Sequence, residues 1–420
     1  MKMKPNLISN TLIYGLSGTL VALIPFVLLP FMTRALSQGD FGTALFFSAL
    51  TTIALPFIGL GASNAISVRF FQLDTNKLSN YIWSCIFLNF VSTFFLIFIF
   101  YFSHTLFSDL LIIDSSWIYL SICISGFWGI SQSCGIYLIA RSSPKLYFVI
   151  NALIGIPTVG LTIFLINFFG YSWQGFALAL FVSHFLAAIV SLAILKIEVG
   201  FSKVCKEYVI DSLKFGSPIM IHSLGLALIT YFDRLIVSNF LALRSWENTQ
   251  LLSLGIILSF IAQAFNKAFV PWLYGNLKIN SMESHLKIVR GTYLIFLLII
   301  VFVLIFISLL DFLIIIFAGE SYRNVFNIAA IISIGSAFNA AYLTVINYVF
   351  YAEKTLELSL LTMSVAIFFI ILSFILTPLL GLIGASISFA ISNLLLFLSV
   401  WMLAIRSYKM PWFSMKLFIQ

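Results

Sequence analysis

The chain has 420 residues, of which 62% are hydrophobic and only 9% charged, with a formal net charge of +8. A mean hydropathy of +1.12 excludes a water-soluble globule, and long unbroken apolar runs exclude a transmembrane barrel, which needs short alternating segments. The runs therefore read as membrane helices, the form that satisfies every backbone amide within its own segment inside lipid.

In chain order the expected segments are Asn10–Thr33, Thr43–Ala62, Ile82–Phe102, Trp117–Ala140, Tyr147–Phe169, Trp173–Leu195, Pro218–Leu243, Leu251–Leu273, Tyr293–Leu310, Ile328–Phe350, Leu358–Leu376 and Leu382–Ile405. They make an all-α polytopic protein of twelve transmembrane helices. With a cytoplasmic N-terminus, one side receives Lys2, Lys4, Arg69, Lys77, Arg141, Lys145 and nearly every later lysine, the other only Arg34, Arg244 and Arg323. By the positive-inside rule this predicts cytoplasmic N- and C-termini, and it accounts for the basic charge without nucleic acid.

Pro25 and Pro30 in the first segment, Pro56, Gly59 and Gly61 in the second, Pro157 in the fifth and Pro271 in the eighth mark bendable places, since proline frees a carbonyl and kinks a helix. The longest polar connection, Lys196 to Phe215, falls near the middle of the chain. It divides the molecule into a six-helix lobe at 1–195, a linker at 196–215 and a six-helix lobe at 216–420. The linker pattern Val204, Val209, Ile210, Leu213 permits a short surface helix. A shift of about 200 residues lays Arg34 on Arg234 and predicts a parallel repeat.

Cys85, Cys123, Cys134 and Cys205 show no paired spacing, and His104, His184, His222 and His285 are scattered singly. Neither a disulfide framework nor a metal site is expected, and no nucleophile–base pair, nucleotide-binding loop or other cofactor motif is present.

Asp233 and Arg234 stand side by side in the seventh segment, with Asp233 roughly 22 Å along a helix counted from Pro218. Charges at that depth are costly and mark pathways or pairs. They point about 100° apart, so each needs another partner; Arg34 and Lys267 are the candidates. His222 lies eleven residues before Asp233 on the same helix face, and the two make a candidate coupling path or lobe latch. The plainer readings are an inter-helix salt bridge and a buried imidazole bonded to a backbone carbonyl. Gln263, Asn266 and Lys267 form a polar group on the eighth segment, whose plainer reading is inter-helix hydrogen bonding.

Three stretches carry a family resemblance: Thr33-Arg34-Ala35-Leu36-Ser37-Gln38-Gly39-Asp40-Phe41-Gly42, Ile58-Gly59-Leu60-Gly61-Ala62-Ser63-Asn64-Ala65-Ile66, and Asp233-Arg234-Leu235-Ile236-Val237. With the topology, they resemble the Wzx-type O-antigen and polysaccharide flippases of the MOP superfamily, alongside the MATE exporters and MurJ-type lipid II flippases. The resemblance implies a bacterial inner-membrane protein whose two six-helix lobes flank a central cavity and alternate between inward- and outward-open states. Its cargo would be an undecaprenyl-diphosphate-linked oligosaccharide, and its partners membrane lipids, a polysaccharide polymerase and a chain-length regulator. The cargo's diphosphate calls for Arg234, Arg34 and Lys267, and its sugars for amides such as Gln263 and Asn266. The rivals are a cation-coupled multidrug exporter of the same fold and, from another class, a polytopic O-antigen polymerase or ligase; the short outer connections count against the enzyme.

Overall fold

A computed structural model describes residues 17, 20–21, 24–107, 113–240, 252–279, 281–317, 320, 323 and 326–412. Every secondary-structure element among them is helical: α1 Ile24–Ala35, α2 Gln38–Ala54, α3 Thr75–Phe107, α4 Ser115–Ala140, α5 Pro144–Phe169, α6 Trp173–Val199, α7 Lys206–Phe240, α8 Leu252–Ile279, α9 Met282–Ser308, α10 Phe326–Tyr351, α11 Thr355–Leu380 and α12 Leu382–Ser407. Short helical turns connect α2 to α3, and a short helix at Leu310–Phe317 follows α9. Among the described residues, ten helices are long and apolar enough to cross a membrane. They coincide with ten expected segments; the remaining two, Asn10–Thr33 and Leu251–Leu273, fall largely where backbone or side chains lie outside the described residues.

The chain divides into two compact units, Met1–Asn239 and Phe240–Gln420. By packing, α7 therefore goes with the first unit, although it follows the central linker in sequence. The linker also differs from expectation. Residues 200–205 run without helix across the start of α3, and residues 206–215 open the membrane helix α7 instead of forming a separate surface helix.

In the first unit α4 is central and packs against α2, α3, α5 and α6. Small side chains allow the approach: Ser121, Ser125, Gly126, Gly129 and Ser133 on α4 are buried, as are Gly175, Ala179, Ser183 and Ala187 on α6. With no water to expel between helices in lipid, close packing of small residues supplies the association. The serine hydroxyls bond back one turn, as Ser133 Oγ does to Gly129 O at 2.8 Å, so they bury no unsatisfied donor.

In the second unit α10 is central in the same way, packed against α8, α9 and α12, while α11 pairs with α12 as α5 pairs with α6. Both α4 and α10 have 26 residues, as do α5 and α11. The turn after α4 places Ser142 at φ 60°, and the turn after α10 places Glu353 at φ 57°. Gly170 after α5 and Gly381 after α11 both take positive φ, 67° and 61°, although ψ is 17° at the first and −139° at the second. Pairing order, helix length and the positions of positive φ thus recur six helices apart, which is the pattern of a parallel repeat.

Candidate functional site

Among the described residues, the repeat fails at the second helix. The second segment, expected as one helix over Thr43–Ala62, breaks after Ala54, whereas α8 continues unbroken through the corresponding stretch. Pro56 opens a short turn, Ile58 is extended at φ −78° and ψ 121°, and Gly59, Leu60 and Gly61 are all left-handed, at φ 62°, 51° and 73°. Glycine adopts that region freely; Leu60 does so at a cost of about 1–2 kcal/mol, which the surroundings must offset.

A break at membrane depth frees backbone groups that need partners. The Gly59 N–H donates to Ser92 Oγ at 2.7 Å, Asn64 Nδ2 donates to Gly61 O at 3.0 Å, and Cys85 Sγ approaches Ala62 O at 3.7 Å. Ser63 Oγ and Ser133 Oγ are 2.6 Å apart, and Asn89 Nδ2 donates to Ser133 Oγ at 2.9 Å. Side chains of α3 and α4 thus splint the broken segment through a buried polar cluster.

Helix α7 docks on the other side of the break. A Cβ built on Gly216 would lie 2.5 Å from Ala62 N and from Gly61 C, and 2.7 Å from Leu60 O, so only glycine permits this crossing. One and a half turns earlier on α7, Asp211 takes a bidentate pair from Arg69, with Nη2 to Oδ1 at 2.6 Å and Nε to Oδ2 at 2.9 Å. Tyr81 Oη donates to the same carboxylate at 2.8 Å, and Gln72 accepts from Arg69 Nη1. The carboxylate hydrogen bond raises the Arg69 pKa above its ordinary value, so the guanidinium is a fixed cation. Tyr208, Val209 and Leu213 pack α7 against the core that contains Ala62, Ile66 and Ile82.

The linker is docked too. Trp83 Nε1 donates to Gly200 O at 2.7 Å, Ser79 Oγ to Ser202 Oγ at 2.7 Å, and the Cys205 N–H to Ser84 Oγ at 3.0 Å. Nearby, Arg141 pairs with Glu198 and joins the ends of α4 and α6. The lysine-rich end of the first unit is therefore a ring of ion pairs and hydrogen bonds.

The residues singled out from sequence lie on α1, α7 and α8. Arg34 is exposed at the end of α1. Asp233 and Arg234 fall on α7, but their side chains lie outside the described residues, as does that of Lys267 on α8. His222 is buried in α7, Gln263 is exposed on α8, and the Asn266 amide oxygen accepts from Asn347 Nδ2 at 2.8 Å. Asn339 and Asn393 pair similarly at 3.2 Å, so these amides serve as inter-helix hydrogen bonds. Sequence reasoning counted Arg69 only among the cytoplasmic charges and did not single out Tyr81 or Asp211. The available signal was the rapid succession Pro56, Gly59, Gly61 just before Arg69.

A model of a polysaccharide biosynthesis protein family matches residues 7–275. The chain belongs to that family. An uncharacterized membrane protein of Haemophilus influenzae is 24% identical over 371 residues, covering 84% of this chain and 86% of its own. Among solved structures, MATE in complex with MaL6 superposes with a TM-score of 0.64 at 15% identity, covering 94% of each chain. The inward-facing form of a multidrug resistance MATE transporter of the MOP superfamily gives 0.63 at 15% identity, over 93% of this chain and 98% of its own. A Vibrio cholerae MATE transporter gives 0.59 at 13% identity over 96% and 97%. The polysaccharide biosynthesis family member thus has a MATE-type fold. It is a multi-pass membrane protein with the fold of the MATE structures. The family match spans the break, Arg69, Asp211 and most of α8.

Proposed function

We propose that this protein is a flippase that carries an undecaprenyl-diphosphate-linked oligosaccharide, such as an O-antigen or capsule repeat unit, from the cytoplasmic to the outer leaflet of the bacterial inner membrane. The observation that carries the reading is membership of a polysaccharide biosynthesis family on a transporter fold. A family that serves polysaccharide assembly and folds as an alternating-access carrier has a lipid-linked saccharide as its natural cargo.

In this reading the two six-helix halves, 1–195 and 216–420, exchange about the linker 196–215, with both termini cytoplasmic. Helix α7 belongs to the second half by sequence and is held against the first by the Gly61–Gly216 crossing and the Arg69–Asp211 pair. Release of that dock is the proposed conformational step: a broken, splinted segment gives way at a few residues while the packed helices move as bodies. Arg234, Arg34 and Lys267 are proposed to neutralise the diphosphate, Gln263 and Asn266 to bind sugar, and Asp233 with His222 to couple or latch the cycle. No chemical step and no cofactor is invoked; a polymerase and a chain-length regulator would act on the delivered unit.

Deletion of the gene should leave lipid-linked repeat units facing the cytoplasm and abolish surface polymer, with restoration by wild type but not by Asp233→Ala or Arg234→Ala. Normal polymer display in the deletion strain would refute the reading. The likeness to multidrug MATE transporters favours a second reading, a cation-coupled exporter. That reading requires resistance to several drugs on expression and unaltered surface polymer on deletion.

A further inference from the structure

Two exposed apolar stripes of the first unit end at one pair of rings. On α6 the exposed positions Val182, Leu186, Ile189, Ala193 and Ile197 recur at helical spacing and make one face. On α3 Trp83 stands one turn before exposed Phe87, on the face that continues through Phe90, Val91 and Phe94. The two helices are neighbours. Just beyond the end of α6, the Phe201 ring lies 4.7 Å from that of Trp83. Ile197 is 82% and Phe201 77% exposed, so the apolar surface runs on past the helix end instead of stopping where the chain turns polar. A continuous exposed surface of this kind marks contact with membrane.

The loop that carries Phe201 is fixed. Gly200 leaves α6 at φ 72° and ψ 174°, a conformation that glycine alone takes freely. Its carbonyl accepts from Trp83 Nε1, Ser202 pairs with Ser79, and the Cys205 N–H donates to Ser84 Oγ, so residues 200–205 are held beside Trp83. Trp83 stands where the polar start of α3 gives way to its apolar run, the level at which tryptophan meets lipid headgroups. Lys196, Lys203 and Lys206 are exposed on either side of Phe201. Of the carboxylates between residues 196 and 214, Glu198 is paired with Arg141 and Asp211 with Arg69. Glu207 alone is left to offset the lysines, so this surface attracts anions.

We infer that the segment from Lys196 to Lys206 docks an anionic phospholipid of the surrounding bilayer. Its acyl chains lie along the α3 and α6 stripes, and its phosphate meets Lys196, Lys203 and Lys206 beside the Trp83–Phe201 pair. The α6 stripe is long enough: from Val182 to Ile197 it spans about 22 Å, against roughly 15 Å for the apolar depth of one leaflet. Lysine stems cover apolar surface while their ammonium groups reach the headgroups, which no closed pocket is needed to hold. The inference is independent of the cargo proposed above.

The test is photo-crosslinking of the full-length protein in phosphatidylcholine bilayers that contain a small fraction of a diazirine-bearing lipid, either phosphatidylglycerol or phosphatidylcholine with the same chains. Labelled peptides are identified by mass spectrometry. Phosphatidylglycerol should label the peptides that hold Trp83 and Phe201 about tenfold or more above phosphatidylcholine, and raised salt should reduce the difference. Lys203→Gln should cut the preference about fivefold, and Lys196→Gln, Lys203→Gln and Lys206→Gln together should erase it. Phe201→Ser should lower labelling by both lipids. Lys354→Gln, which breaks only a distant pair with Glu357, should leave the preference unchanged. Equal labelling by the two lipids in wild type, a preference that survives the triple variant, or complete displacement of phosphatidylglycerol by a much smaller fraction of undecaprenyl diphosphate would each overturn it.

Discussion

Gly216→Ala isolates the dock between α7 and the broken segment. The added methyl would sit 2.5 Å from Ala62 N and Gly61 C and 2.7 Å from Leu60 O, all main-chain atoms that cannot rotate aside. Overpacking of this kind costs about 1–3 kcal/mol. The helix-propensity gain of alanine over glycine, about 1 kcal/mol, favours α7 equally whether it is docked or released and drops out of the balance. The docked arrangement should therefore weaken by about 5- to 150-fold relative to the released one. Native Cys85 reports the change. It is 0% exposed, its thiol approaches Ala62 O, and it also meets the Ser212 side chain of α7. Its labelling by a water-soluble maleimide, followed by mass spectrometry, should accelerate by that factor in the variant. Cys134, equally buried on α4, is the internal reference and should stay protected. Unchanged Cys85 labelling in a folded variant would refute the reasoning, because it would mean that the crossing absorbs a methyl without separating.

Arg69 and Asp211 are 28% and 38% exposed, so a double-mutant cycle of Arg69→Ala with Asp211→Asn should give a coupling of about 1 kcal/mol in thermal unfolding, falling as salt is raised; no coupling at low salt would remove the latch. Leu60→Gly should stabilise the protein by about 1 kcal/mol by relieving the left-handed leucine, measured as a raised melting midpoint. Gly59→Ala should do the opposite, since its Cβ would collide with Asn89 Oδ1. Asn347→Leu should cost about 0.6–2 kcal/mol by removing the bond to Asn266, and an unchanged melting midpoint would refute that account.

The long apolar runs made the helices legible, because a backbone in lipid has few other options. Ten of the expected segments coincide with described helices, and the turns at Gly170 and Gly381 fall where glycine interrupts the apolar pattern. The six-helix repeat was faint in sequence because apolar residues align with one another at almost any shift. It emerged in the recurrence of packing partners and of left-handed turns at Ser142 and Glu353. For the candidate site, Pro56, Gly59 and Gly61 announced a bend, yet nothing local could say that the bend is a full break splinted by Ser92, Asn89 and Ser133.

What the sequence determined by itself was the solvent of this protein, the class of its elements and, through Arg34, the glycine-rich stretch at 58–66 and Asp233-Arg234, its family. Those properties depend on hydropathy and short-range pattern, which are written locally along the chain. The tertiary structure alone decided that Arg69 meets Asp211 across 142 residues, that α7 packs with the first unit, and that Asn266 is occupied by Asn347. Partners so distant in sequence are chosen by which small residues let which helices approach, and such complementarity exists only after the helices have packed.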